Sequence, residues 1–264
     1  MLKLKPINRI FSIEGFFSAF RFDWNESFVF NGESHPFWEA VCVLSGEVEV
    51  TEDENVYILG EGNLIFHAPM EFHRIKSAQG SSPSGYVISF SVSGNIPDRL
   101  SNGVFHIDPS KMKEYENICE KACAFIAEPE NSADGQDLAA LLEAFIIQLN
   151  EKTETDGRSM TQSAAEYRRI VSFMSERVSE NLTLGDIAKA NNVSVSYVKL
   201  LFSTYAGISP KAYFNQLRVR RATELLRKGL SVTEVSDSMN FSSPNYFSSF
   251  YKKHTGLSPS EQQH

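Results

Sequence analysis

Two segments in the last third of the chain repeat one pattern about fifty residues apart. They read NNVSVSYVKLLFSTYAGISP from Asn191 and MNFSSPNYFSSFYKKHTGLSP from Met239. In each copy a short helical segment precedes a tight polar turn, and apolar residues then recur at helical spacing. A repeat of this period indicates a supersecondary unit that occurs twice. A short helix, a tight turn and a second helix with a serine cap are typical of a helix-turn-helix.

The register of the repeat shows one added residue in the second copy. The offset is 48 between Ser194 and Ser242 and 49 between Tyr197 and Tyr246, which predicts that the second copy's final helix starts one residue later. A central helix over residues 211–227 would join two units that enter successive major grooves, about 34 Å apart on one DNA face. The alternative is a six-helix bundle whose repeat serves packing alone.

Charge is distributed unevenly along the chain. The formal net charge is −8. Residues 164–264 nevertheless carry 13 Lys and Arg against 8 Asp and Glu, whereas residues 1–163 carry 12 against 25. An acidic body joined to a basic module indicates that only the second half approaches a polyanion such as DNA.

The first half reads as β structure followed by helices. Short runs rich in aromatic and β-branched residues alternate with turn residues from about residue 10 to 95, which predicts an antiparallel sandwich or barrel. The strict alternation of EVEVTE predicts a half-exposed strand. Asp108 followed by Pro109 predicts a helix start, and a second helix is expected near Asp137. The polar segment 150–163 is predicted to be a linker.

The second predicted helix carries an apolar stripe of Leu138, Leu141, Leu142, Phe145 and Leu149. Two interpretations stay open for it. The stripe packs on the β domain, or it forms a helix-to-helix contact in a symmetric dimer.

The C-terminal residues carry a family resemblance. SVSYVKLLFSTYAGISPKAYFNQLRVRRATELL and VTEVSDSMNFSSPNYFSSFYKKHTGLSP resemble the DNA-binding domain of the AraC/XylS transcriptional regulators. The match covers about a hundred residues. Members of this family are mostly transcription activators, and many are switched by a small molecule bound in an N-terminal domain.

The resemblance implies two sets of DNA-contacting residues. Base contacts are expected from Ser196, Lys199 and Leu200 in the first unit and from Pro244, Asn245, Ser248 and Ser249 in the second. Leu200 and Pro244 depart from the polar or basic residues common in the family. Neither reading face carries Arg, so Lys199 and Asn245 are the best base readers, with Asn245 suited to adenine. Phosphate contacts are expected from Arg218, Arg220, Arg221, Lys252 and Lys253.

A second resemblance lies in the first half. HPFWEAVCVLSGEVEV and GEGNLIFHAPMEFHRI resemble the cupin-like sensor domain that precedes this DNA-binding unit in sugar-responsive regulators. The resemblance implies an effector pocket that contains His35, Phe37, Glu39, Phe66 and His73.

Three interpretations of these residues stay open. A catalytic cupin would bind a metal, but Glu33 stands where the first histidine is expected, and the segment from Pro69 to His73 lacks a glycine and misses the spacing by one. Alternatively, His35 and Glu39 only pair with each other. We favour an effector pocket among aromatic side chains, which suits a carbohydrate and equally an aromatic or fatty acid.

The sequence therefore predicts a two-domain α+β regulator. Residues 1–150 form a cupin-like β-barrel with two following helices, and residues 164–264 bind double-stranded DNA. The expected partners are a small-molecule effector, a sugar being one candidate, a second copy of the chain, and RNA polymerase if the protein is an activator. The alternatives are a metal-dependent cupin enzyme fused to a DNA-binding domain, and a ligand-free regulator controlled by a protein partner.

The sequence also predicts that several features are absent. The sequence shows no nucleophile–base pair or phosphate loop, so no catalytic residue, metal or cofactor is predicted, and the chain is expected to be a non-enzyme. No apolar run is long enough for a transmembrane helix, and no secretion signal is recognised. Three cysteines without a zinc pattern suit a reducing compartment, so a cytoplasmic location is expected.

Overall fold

The structure is a computed structural model that describes residues 5–6, 8–96, 100, 103–128, 132–149 and 161–263. The chain divides into two compact units, one of residues 1–52 and 57–159 and the other of residues 160–264 with 53–56. Residues 150–160 of the predicted linker lie outside the described residues. Within the described part of the chain, no helix has the length and apolar character needed to cross a membrane.

The N-terminal unit contains two β-sheets followed by two helices, which confirms the predicted fold class. Its strands are β1 (Phe11–Asp23), β2 (Trp38–Ser45), β3 (Val48–Glu52), β4 (Asn55–Leu59), β5 (Asn63–His67), β6 (His73–Ser77), β7 (Ser84–Gly94) and β8 (Val104–His106). The order β1-β7-β2-β5-β8 forms the larger sheet, and β4-β3-β6 forms the smaller one. Neither β6 nor β8 was predicted from the sequence.

Two apolar cores cover the two faces of the larger sheet, because successive side chains of a strand point to opposite faces. On one face, Ala40, Cys42, Leu64 and Phe66 pack against the helices α1 (Pro109–Ala127) and α2 (Ser132–Leu149). On the other face, Val41, Val43 and Ile65 pack against side chains of the smaller sheet. The space between the two sheets is therefore the interior of the N-terminal unit.

The two helices follow the predicted pattern with one difference. Asp108 caps α1 through hydrogen bonds from two backbone amides, and Pro109 is its first residue. The second helix begins at Ser132, before the predicted start near Asp137. Its stripe residues Leu138, Leu142, Phe145 and Leu149 are buried in the core shared with the larger sheet. This burial supports the packing interpretation of the stripe.

The burial of β3 differs from the prediction of a half-exposed strand. Val48 and Val50 alternate with the half-buried Glu49 as expected, but Thr51 and Glu52 are both buried. Glu52 contacts His67 at 3.2 Å, so the end of the strand contributes a carboxylate to the interior. Glu52 alternates in step with Val48 and Val50, so it faces the interior even though a glutamate is usually exposed.

Six helices and a short 3-10 helix form the described part of the C-terminal unit. They are α3 (Gln162–Glu176), α4 (Leu184–Ala190), α5 (Val195–Tyr205), α6 (Pro210–Arg227), α7 (Val232–Ser238), α8 (Pro244–Thr255) and the 3-10 turn Glu261–Gln263. The sequence predicts helices over Val195–Tyr205 and Val232–Ser238, and these are the observed bounds of α5 and α7. The pairs α4–α5 and α7–α8 are the two helix-turn-helix units.

The two turns share a backbone conformation and differ by one residue. Asn192 and Asn240 both adopt a left-handed conformation, with φ of 55° and 51°, and they are 48 residues apart. The side chains of Ser194 and Ser243 cap α5 and α8, and these residues are 49 apart. The added residue is therefore Ser242 in the turn, and the cap of α8 is Ser243, so this helix starts one residue later than α5, as the register of the repeat predicts.

An arginine on the preceding helix supports each turn, which extends the repeat beyond the two sequence segments. Arg169 of α3 donates a hydrogen bond to the Asn191 carbonyl at 3.0 Å. Arg218 of α6, 49 residues later, donates to the Met239 carbonyl at 2.7 Å. Each repeat is thus a three-helix unit in which a guanidinium satisfies the carbonyl that ends the first helix of the motif.

Arg218 is consequently a structural residue and not an exposed phosphate contact. It is only 9% exposed, and it also donates to Asn181 Oδ1 at 3.2 Å. Its guanidinium lies 4.1 Å from the centre of the Phe241 ring. The sequence showed Arg218, Arg220 and Arg221 as one basic cluster. On a helix, however, Arg220 lies on the opposite side from Arg218, and Arg218 itself is buried against the turn.

We predict that Gly85→Ala destabilises the N-terminal unit by about 3 kcal/mol, because an added Cβ would lie 2.0 Å from the Cys42 carbonyl oxygen. Both tryptophans, Trp24 and Trp38, lie in this unit, so urea unfolding followed by tryptophan fluorescence measures the effect. Gly15→Ala in the same sheet is the matched control, since its nearest contact would be at 3.7 Å. Equal stability of the two variants would contradict the close approach.

We predict that Arg218→Met destabilises the C-terminal unit by about 2–3 kcal/mol, because the methionine leaves the Met239 carbonyl without its charged donor. Thermal unfolding followed by circular dichroism at the helix band measures this change. Arg221→Met is the control, because Arg221 is half-exposed and pairs with Glu224 on its own helix at 2.9 Å. A loss of the same size in both variants would contradict the assignment.

Candidate effector site and DNA interface

A buried carboxylate lies between the two sheets of the N-terminal unit. Glu39 on β2 faces the interior, with its side chain 13% exposed. Its Oε1 lies 3.4 Å from Nε2 of His73 on β6, and its Oε2 lies 3.8 Å from Nε2 of His35, which precedes β2. The structure therefore brings together three of the five predicted effector residues.

A chain of hydroxyl groups orients this carboxylate. Ser18 on β1 donates to Ser89 on β7 at 2.9 Å, and Ser89 donates to Glu39 Oε2 at 3.0 Å. All three residues belong to the larger sheet, so the carboxylate is held rigidly with respect to its backbone.

Both imidazoles that face Glu39 are fixed by backbone carbonyls. Nδ1 of His35 lies 2.9 Å from the Phe37 oxygen, and Nδ1 of His73 lies 3.3 Å from the Glu71 oxygen. A carbonyl only accepts hydrogen bonds, so Nδ1 carries the hydrogen in each ring. In the neutral form of each ring, Nε2 then presents a lone pair towards the carboxylate.

A second acid–imidazole pair lies beside the first. Nδ1 of His67 is 3.2 Å from Glu52 Oε1, and the His67 ring stacks on the His73 ring at 4.2 Å. Glu39 is opposite His67 in the β2–β5 register, and Glu52 is opposite His73 in the β3–β6 register. Each sheet thus contributes one carboxylate and one imidazole, and both contacts cross from one sheet to the other.

The local environment raises the pKa of His73 and lowers the pKa values of Glu39, His35 and His67. Burial would lower the pKa of His73, but contact with the charged Glu39 outweighs it, so the pKa lies above the ordinary value. Burial would raise the pKa of Glu39, but His73, His35 and Ser89 together lower it. The pKa of His35 is lowered by burial and by His73. Burial holds the pKa of His67 well below its ordinary value.

Two of the predicted effector residues are placed differently. Phe37 stacks on His35 at 3.8 Å and on the exposed Phe17 at 4.2 Å, which makes an aromatic stack next to the cluster. Phe66 instead belongs to the core that faces the helices, where it contacts Phe105, so it does not line the interior. Its neighbour His67 points inward because adjacent residues of a strand alternate.

The sequence reasoning missed His67, Glu52 and Ser89. His67 lies two residues after Ile65 on β5, so both side chains point to the same face of the sheet. Ser89 lies between Ile88 and Phe90 on β7, so it points to the face opposite to theirs. Glu52 carried a similar signal, because it alternates in step with the inward-facing Val48 and Val50, but its partner His67 is 15 residues away on another sheet.

A concavity of about 360 Å³ lies between β1 and α2. Arg9, Glu14 and Glu143 are among its lining residues. Oε1 of Glu143 accepts a hydrogen bond from the Ile13 amide at 2.9 Å, so this carboxylate already joins the helix to the strand. The three histidines and Glu39 lie elsewhere.

In the C-terminal unit, the predicted base-reading residues of the first motif share one exposed face of α5. Ser196, Lys199 and Leu200 are all exposed, and their spacing of three and four residues lies on one side of a helix. Leu200 is 58% exposed, so this face also presents an apolar side chain.

The matching face of α8 is more polar. Asn245 and Ser249 are exposed, while Pro244 and Ser248 are half-buried. The Ser248 hydroxyl donates to the Pro244 carbonyl at 2.9 Å, so its hydrogen is already used within the helix. Tyr246, which was not predicted, is 56% exposed at the start of this helix.

The predicted phosphate contacts occupy different environments. Lys252 and Lys253 are exposed in the last turn of α8. Arg221 is half-exposed and paired with Glu224, and Arg220 is half-buried on α6. Together with the burial of Arg218, this leaves the two lysines as the most accessible cations of the predicted set.

Comparison with known proteins agrees with both parts of this description. A model of the AraC-like ligand binding domain matches residues 18–166, more than half of the chain, and a helix-turn-helix domain model matches residues 187–264. The uncharacterized HTH-type transcriptional regulator YfiF of Bacillus subtilis is 24% identical over 241 residues, covering 85% of this chain and 76% of YfiF.

Two further similarities span nearly the whole chain. The HTH-type transcriptional activator RhaS of Pectobacterium carotovorum is 21% identical, with 87% of this chain and 86% of RhaS covered. The crystal structure of ToxT from Vibrio cholerae is 14% identical, with 96% and 97% coverage and a TM-score of 0.39. With the family model spanning most of the first half and the paired motifs in the second, the chain belongs to the AraC family of helix-turn-helix transcriptional regulators.

Proposed function

We propose that this regulator activates transcription when a small polar molecule binds between the two sheets of its N-terminal unit. The observation that carries the proposal is the buried Glu39 carboxylate with the Nε2 atoms of His35 and His73 directed at it. Such converging polar groups in an otherwise apolar interior are costly for stability alone and are typical of ligand sites.

A carbohydrate is the effector class that the site favours. Glu39 accepts hydrogen bonds, the imidazoles donate or accept them, and the stacked rings of Phe17 and Phe37 offer an apolar surface for sugar CH groups. The Phe17 ring is 55% exposed, so it is accessible to such a ligand. A fatty or aromatic acid would instead place a negative charge against Glu39, which is unfavourable.

The DNA-binding unit supplies the output in this proposal. Exposed faces of α5 and α8 enter two major grooves, with Lys199 and Asn245 reading bases and Lys252 and Lys253 contacting phosphate. The effector shifts transcription only if it binds one arrangement of the regulator more tightly than another. We further propose that the chain acts in the cytoplasm as a homodimer that recruits RNA polymerase, and not as an enzyme.

We predict that Asn245→Ala lowers affinity for the operator about 10-fold, because a lost bidentate base contact costs about 1–3 kcal/mol. The operator is first recovered by repeated selection from random duplex DNA, and fluorescence anisotropy then measures binding to it and to unrelated DNA. Binding to unrelated DNA should change little.

Lys252→Ala is the matched comparison on the same helix. It should weaken both kinds of DNA binding equally and reduce the slope of log affinity against log salt by about 1. If Asn245→Ala weakened both DNAs equally and left the preferred sequence unchanged, the base-reading role of Asn245 would be wrong.

We predict that Glu39→Gln abolishes the thermal stabilisation that the effector gives to the wild-type chain. Ligand at 100 times its dissociation constant adds about 2.7 kcal/mol to the unit that binds it. A library of sugars and organic acids is screened by thermal melting of the full chain, with Glu61→Gln as control because Glu61 is exposed in the turn between β4 and β5.

Two outcomes would contradict the proposal. A sugar whose stabilisation survives Glu39→Gln binds elsewhere, and the concavity between β1 and α2 would be tested next. Stabilisation by none of the compounds would favour a regulator controlled by a protein partner.

A further inference from the structure

We infer that the second repeat of the C-terminal unit binds a DNA phosphate through the Tyr246 hydroxyl, at the position that the Glu166 carboxylate occupies in the first repeat. The inference rests on the proposed contact of α8 with DNA and deepens it, because it assigns a phosphate contact that only one of the two repeats makes. The internal repeat carries the argument, since it allows the two copies to be compared position by position.

The two tyrosines of this comparison occupy the same place in their helices. Tyr197 is the third residue of α5 and Tyr246 the third residue of α8, and they are 49 residues apart. In each helix the tyrosine amide donates to the side chain of the cap serine at 3.1 Å. The same offset of 49 relates Arg169 and Arg218 on the preceding helices, so the two surroundings can be compared directly.

In the first repeat, the tyrosine hydroxyl is used within the protein. The Tyr197 hydroxyl donates to the Glu166 carboxylate on α3. This hydrogen bond lowers the pKa of Glu166, so the carboxylate is ionised at neutral pH. The first repeat therefore supplies its own anion beside the start of its second motif helix.

In the second repeat, the corresponding anion is replaced by a neutral side chain. The residue 49 positions after Glu166 is Asn215, which lies three residues before Arg218 just as Glu166 lies three residues before Arg169. Within the described part of the chain, the Tyr246 hydroxyl has no hydrogen-bond partner, and the residue is 56% exposed. The donor that a carboxylate satisfies in the first repeat is thus available to an external acceptor in the second.

The place and the charge of this position suit a DNA phosphate. The N-terminal part of the second motif helix enters the major groove, and tyrosine is among the side chains that donate to the phosphates beside it. The Arg218 guanidinium adds a positive charge nearby, since it lies 4.1 Å from the centre of the Phe241 ring, and this ring lies 6.1 Å from that of Tyr246. In the first repeat, the charge of Glu166 would repel a phosphate from the equivalent position.

The experiment measures binding of the full chain to the selected operator and to an unrelated duplex by fluorescence anisotropy. Tyr246→Phe removes only the hydroxyl, and it should weaken binding to both DNAs about 10-fold, because a hydrogen bond to a charged group is lost. Asn215→Glu restores the carboxylate of the first repeat, so it should weaken both at least as much. Asn215→Gln, which stays neutral, should bind both DNAs as the wild type does.

Tyr197→Phe is the matched control in the first repeat. It should leave the affinity for both DNAs unchanged and lower the melting temperature, because Glu166 loses its donor. Tyr246→Phe should show the opposite pattern, with weaker binding and an unchanged melting temperature. Thermal melting followed by circular dichroism measures this difference, and Tyr246→Phe decides the question alone if Asn215→Glu does not fold.

Wild-type affinity of Tyr246→Phe for both DNAs would overturn the inference, as would an equal loss of affinity in Tyr197→Phe. A loss confined to the operator would also contradict it, because a phosphate contact does not depend on sequence. The unrelated duplex reports the phosphate contact without any base reading, so the result holds even if Asn245 reads no base. Conversely, the expected loss in Asn245→Ala together with wild-type binding of Tyr246→Phe would leave the proposed function standing and refute this contact.

Discussion

The N-terminal unit depends on one physical constraint: a carboxylate buried between two sheets must receive hydrogen bonds or an opposite charge. An isolated charge in such a place is strongly unfavourable, so the surrounding residues must compensate for Glu39. Histidines from a preceding loop and from the opposite sheet approach it, and a serine relay from β1 and β7 holds it. Because the Glu39–His73 contact crosses from one sheet to the other, any ligand that replaces it acts on the packing of both sheets.

In the DNA-binding unit, a backbone carbonyl at a helix end needs a hydrogen-bond donor in each of the two repeats. A tight turn between two helices leaves a carbonyl at the end of the first helix, and an arginine from the preceding helix donates to it in both repeats. The equivalence of Arg169 and Arg218 extends the duplicated unit to three helices. It also separates residues that build the motif from residues on its exposed face, such as Lys199 and Asn245.

The helical half could be predicted from sequence more completely than the β half. Helix caps, periodicity and the internal repeat are local signals, and they gave the bounds of α5 and α7 as observed. Arg218 was misread because a basic side chain is usually exposed, and nothing local shows that its partner is a carbonyl 21 residues away.

In the β half, the family resemblance located His35, Glu39 and His73, but the side-chain direction of each strand residue had to be read by alternation. Phe66 was assigned to the interior between the sheets, but it is adjacent to His67 on the same strand and therefore points to the opposite face. Glu52 lies two residues after the buried Val50, so alternation directs it inward, but it was not singled out because a glutamate is usually exposed. Contacts between strands that are distant in sequence are set by the register of the sheets, and no single strand encodes that register.

The central claim is that one chain reads two adjacent major grooves through α5 and α8. A footprint of the full chain on its selected operator, at saturating protein, tests it most directly. We predict that each bound chain protects two major-groove segments on one DNA face, one helical turn apart. The double variant Ser196→Ala/Lys199→Ala should lose protection in one segment, and Asn245→Ala/Ser249→Ala in the other. A single protected segment, or loss of the same segment in both variants, would contradict the account.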